Sequence, residues 1–368
     1  MPPPPSWIRH LLLAPLVVVL AIALLLSLPL WLLVALVASP LVPGHLRVPR
    51  LIFLAVVYLV WDASALVVLA ALWVTAGFGW KIRTPAFQRA HYVVTGRFLG
   101  FLFWIARWSL HLTVDVVGTD PDTAVPGRPE IVVSRHAGPG DSFVLIHALV
   151  NWFDREPRIV LKATLQWDPA VDVLLNRLPN RFITPGRPGG RSLEQEVGEL
   201  AVGLDDNDAF VIFPEGGNFT PRRRVKAIQW LRSRGMFDMA RKAEKLQNVL
   251  PPKPAGLFAA VDAAPGAGVI FVAHTGLDRM ITVGDVWREL PMDKQLIMRF
   301  WSVDPEDVPV GEQERVAWLY EWWARIDAWI EENRPAARPL STDWAARRSP
   351  VLGVTCRRAP GRCWPAPR

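Results

Sequence analysis

Cysteine is nearly missing from this chain: only Cys356 and Cys363 occur, both in a tail rich in Pro and Arg. The first 355 residues therefore hold no disulfide and no thiolate metal site, which suits a reducing compartment. No His/Cys cluster offers a metal, and no cofactor is implied. No Gly-x-Ser-x-Gly elbow is present, which counts against a serine hydrolase. Zinc-finger spacing, an aromatic RNA-binding signature and a basic recognition helix are also absent, so nucleic acid is not an expected partner. Residues 11–46 lack Asp, Glu, Lys and Arg altogether. No internal repeat is visible.

What remains is basic and apolar together. The 368 residues allow two or three domains. They carry a formal charge of +7 although 51% are hydrophobic, a balance that suits work on a membrane surface or on anionic substrates. The run Leu11–Ala38 would extend ~42 Å as helix, against roughly 30 Å of hydrocarbon core. Pro15 and Pro29 interrupt it, and Pro40 and Pro43 end it. A second run, Leu51–Ala76, contains a single charge, Asp62, and a short loop with Arg47 and Arg50 joins the two. A cleaved signal peptide would have a much shorter apolar region, and a soluble helical pair would be less hydrophobic. The expectation is a two-helix membrane hairpin over residues 11–80, after an N-terminal segment 1–10. Lys81, Arg83, Arg89, Arg97 and Arg107 outnumber the two loop arginines. That bias places the rest of the chain in the cytoplasm, on a multi-pass cell-membrane protein.

Residues 81–111 read as linking or interfacial helix, since Leu99–Leu112 is too short to span. From about Leu112 short β-branched runs alternate with amphipathic segments. Thr113–Val117, Ile131–Val133, Ile159–Leu161, Phe182–Ile183, Ala209–Phe213 and Val269–Ala273 predict strands. Phe143–Val150, Pro169–Arg177 and Leu193–Leu204 predict helices. This alternation predicts an α/β fold, a largely parallel sheet flanked by helices, over residues 112–333. Arg222–Val249 reads as a basic helical segment, either a solvated face or a contact for acidic headgroups. Gln313–Asn333 reads as a helix whose Trp318, Trp322 and Trp329 share a core-facing side. Residues 334–368 read as disordered.

Four strand exits carry polar chemistry. After Ile131–Val133 comes Ser134-Arg135-His136-Ala137-Gly138-Pro139-Gly140-Asp141, with Asp141 or Ser142 as helix N-cap. A carboxylate there can hold the His136 imidazole in one tautomer and leave its other nitrogen free to take a proton. A capped loop histidine is the structural alternative. Lys162 ends a second strand, and Arg181 and Arg187 bracket a third exit. The fourth, Phe213-Pro214-Glu215-Gly216-Gly217-Asn218-Phe219-Thr220, puts bare backbone around Glu215, a turn suited to an anionic oxygen. Together they describe a base beside cations for a phosphate.

The hexapeptide HAGPGD, His136 to Asp141, resembles the His-x4-Asp motif of the 1-acylglycerol-3-phosphate acyltransferases, the glycerolipid and lysophospholipid acyltransferase family. LKATLQWDP around Lys162, NRFITPGR from Asn180 to Arg187, FPEGGNFT from Phe213 to Thr220, VLPPKPAG from Val249 to Gly256 and VIFVAHTG from Val269 to Gly276 resemble its other blocks in order. The resemblance covers roughly residues 112–280. Gly217 and Asn218 stand in place of Thr-Arg, with Arg222 to Arg224 as substitutes, and Pro185 stands where an arginine aligns, with Arg187 two residues later. The resemblance implies a membrane-bound enzyme that moves an acyl group from acyl-CoA or acyl carrier protein to a lysophospholipid hydroxyl, giving phosphatidic acid from 1-acyl-sn-glycerol-3-phosphate. His136 would be the general base oriented by Asp141. Lys162, Arg187, Glu215, Gly216, Gly217 and Asn218 would form the acceptor site, with Glu215 ordering its turn. The alternatives are another lysophospholipid or a glycolipid as acceptor, a lipid or thioester hydrolase using the same pair, and an inactive membrane-anchored binding module.

Overall fold

The computed structural model describes residues 3–41, 46–118, 127–183, 192–278, 284 and 294–335. Of the tail expected to be disordered, residues 336–368 lie outside the described residues. The chain opens with two long apolar helices packed on each other, α1 (Ser6–Leu41) and α2 (Val48–Thr75), both long and apolar enough to cross a membrane. A π-helical turn at Arg9–Leu13 precedes the regular helix. It carries Arg9 inward, where Nε and Nη2 donate to Asp172 Oδ2 and Oδ1 at 2.8 and 3.1 Å. Further along, the Tyr58 hydroxyl of α2 donates to Asp168. Both carboxylates belong to the start of one short helix, α5 (Pro169–Arg177, with Asp168 as its N-cap). Both helices of the hairpin are therefore fastened to α5. α3 (Pro85–Leu110) follows and packs against α4 (Pro139–Asn151), with Phe103 stacked on His147 at 4.3 Å.

Seven strands form one sheet in the order β1-β7-β6-β2-β5-β3-β4. They are β1 Thr113–Gly118, β2 Glu130–Ser134, β3 Glu156–Lys162, β4 Arg181–Ile183, β5 Asp208–Ile212, β6 Gly268–Thr275 and β7 Gln295–Val303. β2 to β6 are mutually parallel, whereas β7 runs antiparallel to β6 and parallel to β1. Every residue of β2, β5 and β6 is buried. That explains why those three read as continuous apolar runs rather than as alternating ones. One face packs on α6 (Leu193–Ala201), α9 (Pro254–Ala263) and α10 (Glu312–Asn333), and the other on α4. Trp322 stacks on Phe271 at 4.5 Å and Trp329 meets Trp301 edge-on at 6.0 Å. The tryptophan-rich helix is thus core, and Trp323 is fully buried too.

Two sequence expectations change. The basic segment Arg222–Val249 is not one helix: α7 (Pro221–Ser233) and α8 (Phe237–Lys245) are separated at Gly235, whose φ of +74° ends the first. And α4 begins at Pro139, so Asp141 lies inside its first turn rather than ahead of it. Proline suits the first helical position because it has no N–H to leave unsatisfied.

Candidate active site

β2, β3 and β5 deliver their carboxyl ends to one edge of the sheet, where open parallel sheets place their sites. Beneath that edge lies a buried ion pair. Arg135 is 1% exposed and donates from Nη1 to Asp278 Oδ1 at 2.6 Å and to the His274 carbonyl at 2.8 Å. Asp278 also accepts from Thr275 Oγ1 at 2.8 Å and from Gly276 N at 2.9 Å. Burial works against its charge, but Arg135 and these donors hold the carboxyl down at about 2. Gly276 has φ +119°, and a Cβ there would fall 1.9 Å from the Gln295 carbonyl oxygen, so only glycine fits.

On this floor His136 is fixed through its backbone. Its N–H donates to Glu215 Oε1 at 3.1 Å, and its carbonyl accepts from Phe219 N at 2.8 Å. Glu215 Oε2 accepts from Leu250 N at 3.1 Å. The buried Glu215 carboxylate therefore ties together the β2 exit, the β5 exit and the segment before α9. That last segment is held in turn by Asp327 of α10, which accepts from Gln247 N at 3.0 Å and Asn248 N at 2.6 Å. The His136 ring lies against Phe213 with centroids 4.8 Å apart. Its Nδ1 is buried and has no hydrogen-bond partner among the described residues. Burial, then the charges of Lys162, His274, Arg223 and Arg135, push its pKa down to about 4. The imidazole is neutral at pH 7, the form that can accept a proton.

Above the ring is a group of three cations around the Gly216–Gly217 turn. A Cβ at Gly217 would lie 3.2 Å from Arg223 Nη1 and 3.6 Å from Lys162 Nζ, and one at Gly216 would lie 3.0 Å from Lys253 Nζ. Arg223 is itself steered by a 3.0 Å hydrogen bond to the Asn218 carbonyl. Burial and then its neighbours Arg223 and Lys253 lower the Lys162 pKa. None of the three pairs with a carboxylate among the described residues.

The structure thus brings His136, Lys162, Glu215, Gly216, Gly217 and Asn218 together. Arg187 lies outside the described residues, and so does the side chain of Asp141. Of the triplet Arg222 to Arg224, Arg223 reaches the turn, whereas Arg224 donates to the Leu246 and Glu244 carbonyls. Lys253 falls inside the VLPPKPAG block, but a lone cation among prolines carries no sequence signal that would place it at this turn. Arg135, which directly precedes HAGPGD, carries no signal beyond its charge. Among the described residues no group of three His, Cys, Asp or Glu is placed to hold a metal ion.

Residues 115–258 match the acyltransferase family model, a span that holds all of the residues above except Arg135's partners on β6 and beyond, and Asp327. No curated protein matches the chain. Among solved structures, the 1-acyl-sn-glycerophosphate (LPA) acyltransferase PlsC from Thermotoga maritima is similar at 18% identity over 68% of this chain and 82% of that one, with a TM-score of 0.42. At that level of superposition the fold stands on its own strand order and register. Residues 115–258, which bring His136, Lys162, Glu215 and Arg223 to the carboxyl edge of the sheet, thus carry the match to the acyltransferase family model.

Proposed function

We propose that this protein transfers an acyl group from a thioester donor, acyl-CoA or acyl carrier protein, to the free hydroxyl of a lysophospholipid, with 1-acyl-sn-glycerol-3-phosphate as the leading acceptor. The observation that carries this reading is a neutral, half-buried histidine beside three cations that lack carboxylate partners among the described residues. A phosphate supplies the missing charge, and the hydroxyl next to it in the acceptor supplies the proton.

In this reading His136 removes the hydroxyl proton while the oxygen attacks the thioester carbonyl. The tetrahedral intermediate then collapses, the C–S bond breaks, and the thiol leaves with a proton returned by the imidazolium. General-base help of this kind is worth ~10²–10⁴ in rate. Asp141, in the first turn of α4, would orient the ring. The start of that helix follows the β2 exit after a short turn, so its free backbone N–H groups would favour a developing oxyanion there. Lys162, Arg223 and Lys253, with Arg187, bind the acceptor phosphate. Glu215 acts by shaping the turn, since both of its oxygens already accept backbone N–H groups. A base depressed to about 4 is a weak one. Phosphate bound on Lys162 and Arg223 offsets two of the charges that depress it, so the acceptor raises the basicity of its own catalyst. α1 and α2 would embed in the bilayer and keep this edge near its amphiphilic substrates, with the domain on the cytoplasmic side.

The test is incubation of the purified full chain with radiolabelled acyl thioester, with and without lysolipids. Acceptor-dependent diacyl product is expected. Free fatty acid without diacyl product would establish the hydrolase instead, and no turnover with any acceptor would leave a binding module.

A further inference from the structure

The segment from Pro221 to Lys245, α7 and α8, holds nine Lys or Arg against two Asp or Glu. Its net +7 equals the formal charge of the whole chain. Acyl transfer uses only one of these residues, Arg223. Two more are neutralised locally, because Arg232 pairs with Glu244 at 2.6 Å and Arg241 pairs with Asp238. Arg222 and Lys226 are exposed and make no ion pair among the described residues.

At 100° per residue, Arg222, Lys226, Trp230, Arg223 and Arg234 fall within one third of the α7 circumference. The opposite side, Ile228 and Leu231, is buried against Ala240, Ala243 and Tyr320. On the free flank Trp230 is 52% exposed, with Arg234 over its ring at 5.7 Å, and Phe237 just beyond the helix is 63% exposed. An indole at the surface among unpaired cations fits the headgroup level of a bilayer, where amphipathic rings and Lys/Arg are favoured together.

The flank also lies in the right place. Arg223 in its first turn shares the Gly217 turn with Lys162. Lys162 leads into the 3-10 segment Ala163–Trp167, whose Leu165 and Trp167 are both exposed. That segment leads into α5, which is bound to α1 and α2 through Asp172, Asp168 and Ala170. A continuous path therefore runs from the apolar hairpin, past an exposed leucine and tryptophan and the site cations, to the basic flank of α7. We infer that this flank is a second membrane contact, one that docks on anionic phospholipid headgroups and lays the mouth of the site on the bilayer surface. It goes beyond acyl transfer, and its readout is lipid contact rather than turnover, so the two readings fail separately.

The experiment uses the full chain with Cys356 and Cys363 replaced by Ser and an environment-sensitive fluorophore on Trp230→Cys, reconstituted in liposomes that contain headgroup-region nitroxide lipid. Phosphatidylcholine alone is compared with a phosphatidylcholine–phosphatidylglycerol mixture. Strong quenching is expected only in the mixture, and none for a label on Asp206→Cys at the opposite edge of the sheet. Each cation near such a surface is worth about five-fold in partitioning. Arg222→Glu with Lys226→Glu should therefore reduce the contact by roughly 25-fold or more and abolish its salt dependence. Equal quenching in both liposomes, no quenching in either, or quenching that survives the charge reversal would overturn the assignment. So would retention on a polyanion such as heparin without lipid quenching, which would mark a nucleic-acid surface instead.

Discussion

At the amino edge of the sheet, Arg155 meets Glu130 at 2.9 Å and also donates to the Arg128 and Asp206 carbonyls. Beside it Arg158 donates from Nε to Asp208 at 2.9 Å. At the carboxyl edge of the same strands, Lys162, Arg223 and Lys253 stand around a turn of bare backbone with no carboxylate partner among the described residues. Below them His136 Nδ1 has no hydrogen-bond partner there either. Both edges are built from arginine, lysine and carboxylates. One closes its charges into the fold, and the other leaves cations open to an incoming anion. The difference separates scaffold from site without reference to any motif. A buried pair complete within the protein binds nothing more, whereas unpaired cations over a neutral base make a receptor for a charged, protic substrate.

Perturbing each edge should therefore damage a different property. The largest effect is expected from His136→Ala, which removes the proposed base and should lower kcat by about 10²–10⁴ or more. Its melting temperature and its membrane association should be little changed. Product formation near the wild-type rate would break the contrast at its centre. At the other edge, Glu130→Ala removes the carboxylate that Arg155 meets at 2.9 Å, a charge-assisted contact whose loss should cost about 1.5–3 kcal/mol in unfolding free energy. Denaturant titration would read that loss, while kcat and KM of the folded fraction should hold. A change in KM there would mean that the amino edge is not mere scaffold.

Arg223→Ala and Lys162→Ala should act in the reverse sense. Each removes one charge-assisted contact to the acceptor, worth about 1.5–3 kcal/mol. KM for a phosphorylated acceptor should rise roughly 10- to 100-fold, with small changes in stability because neither side chain belongs to the packed core. A loss of stability without a change in KM would make them structural. The smallest effect is in the pH profile. His136 must be neutral to take a proton, so protonation removes activity as pH falls through the imidazole pKa, about 4 in the free protein. Because a bound phosphate offsets Lys162 and Arg223, the acid limb of kcat should lie at higher pH than that of kcat/KM. Coincident limbs would show that acceptor and base are not electrostatically coupled.

The same contrast explains how much the sequence revealed. β2, β5 and β6 were legible because full burial on both faces demands uninterrupted apolar residues. β7 was missed: Gln295–Val303 contains Arg299 and gets its buried face from Leu296, Met298 and Phe300, which are not β-branched. Most residues of the candidate site were legible as neighbours because tight turns at strand exits leave glycine and polar residues in fixed order. Lys253 and Arg135 were not, since a single cation in a run of prolines or beside a strand has no signature of its own. The Arg9–Asp172 pair was beyond reach for a different reason: its partners are 163 residues apart and only the packed hairpin brings them together. Asp141 was legible as a helix-start residue, but the boundary moved because Pro139 already begins the helix.

One measurement bears most directly on the open cations at the carboxyl edge: kcat/KM for 1-acyl-sn-glycerol-3-phosphate against that for the same monoacylglycerol without its phosphate, with one acyl donor. Three cations awaiting an anion predict a preference of 100-fold or more, on the order of the 3 kcal/mol that one strong charged contact provides. Equal use of both acceptors would contradict the account.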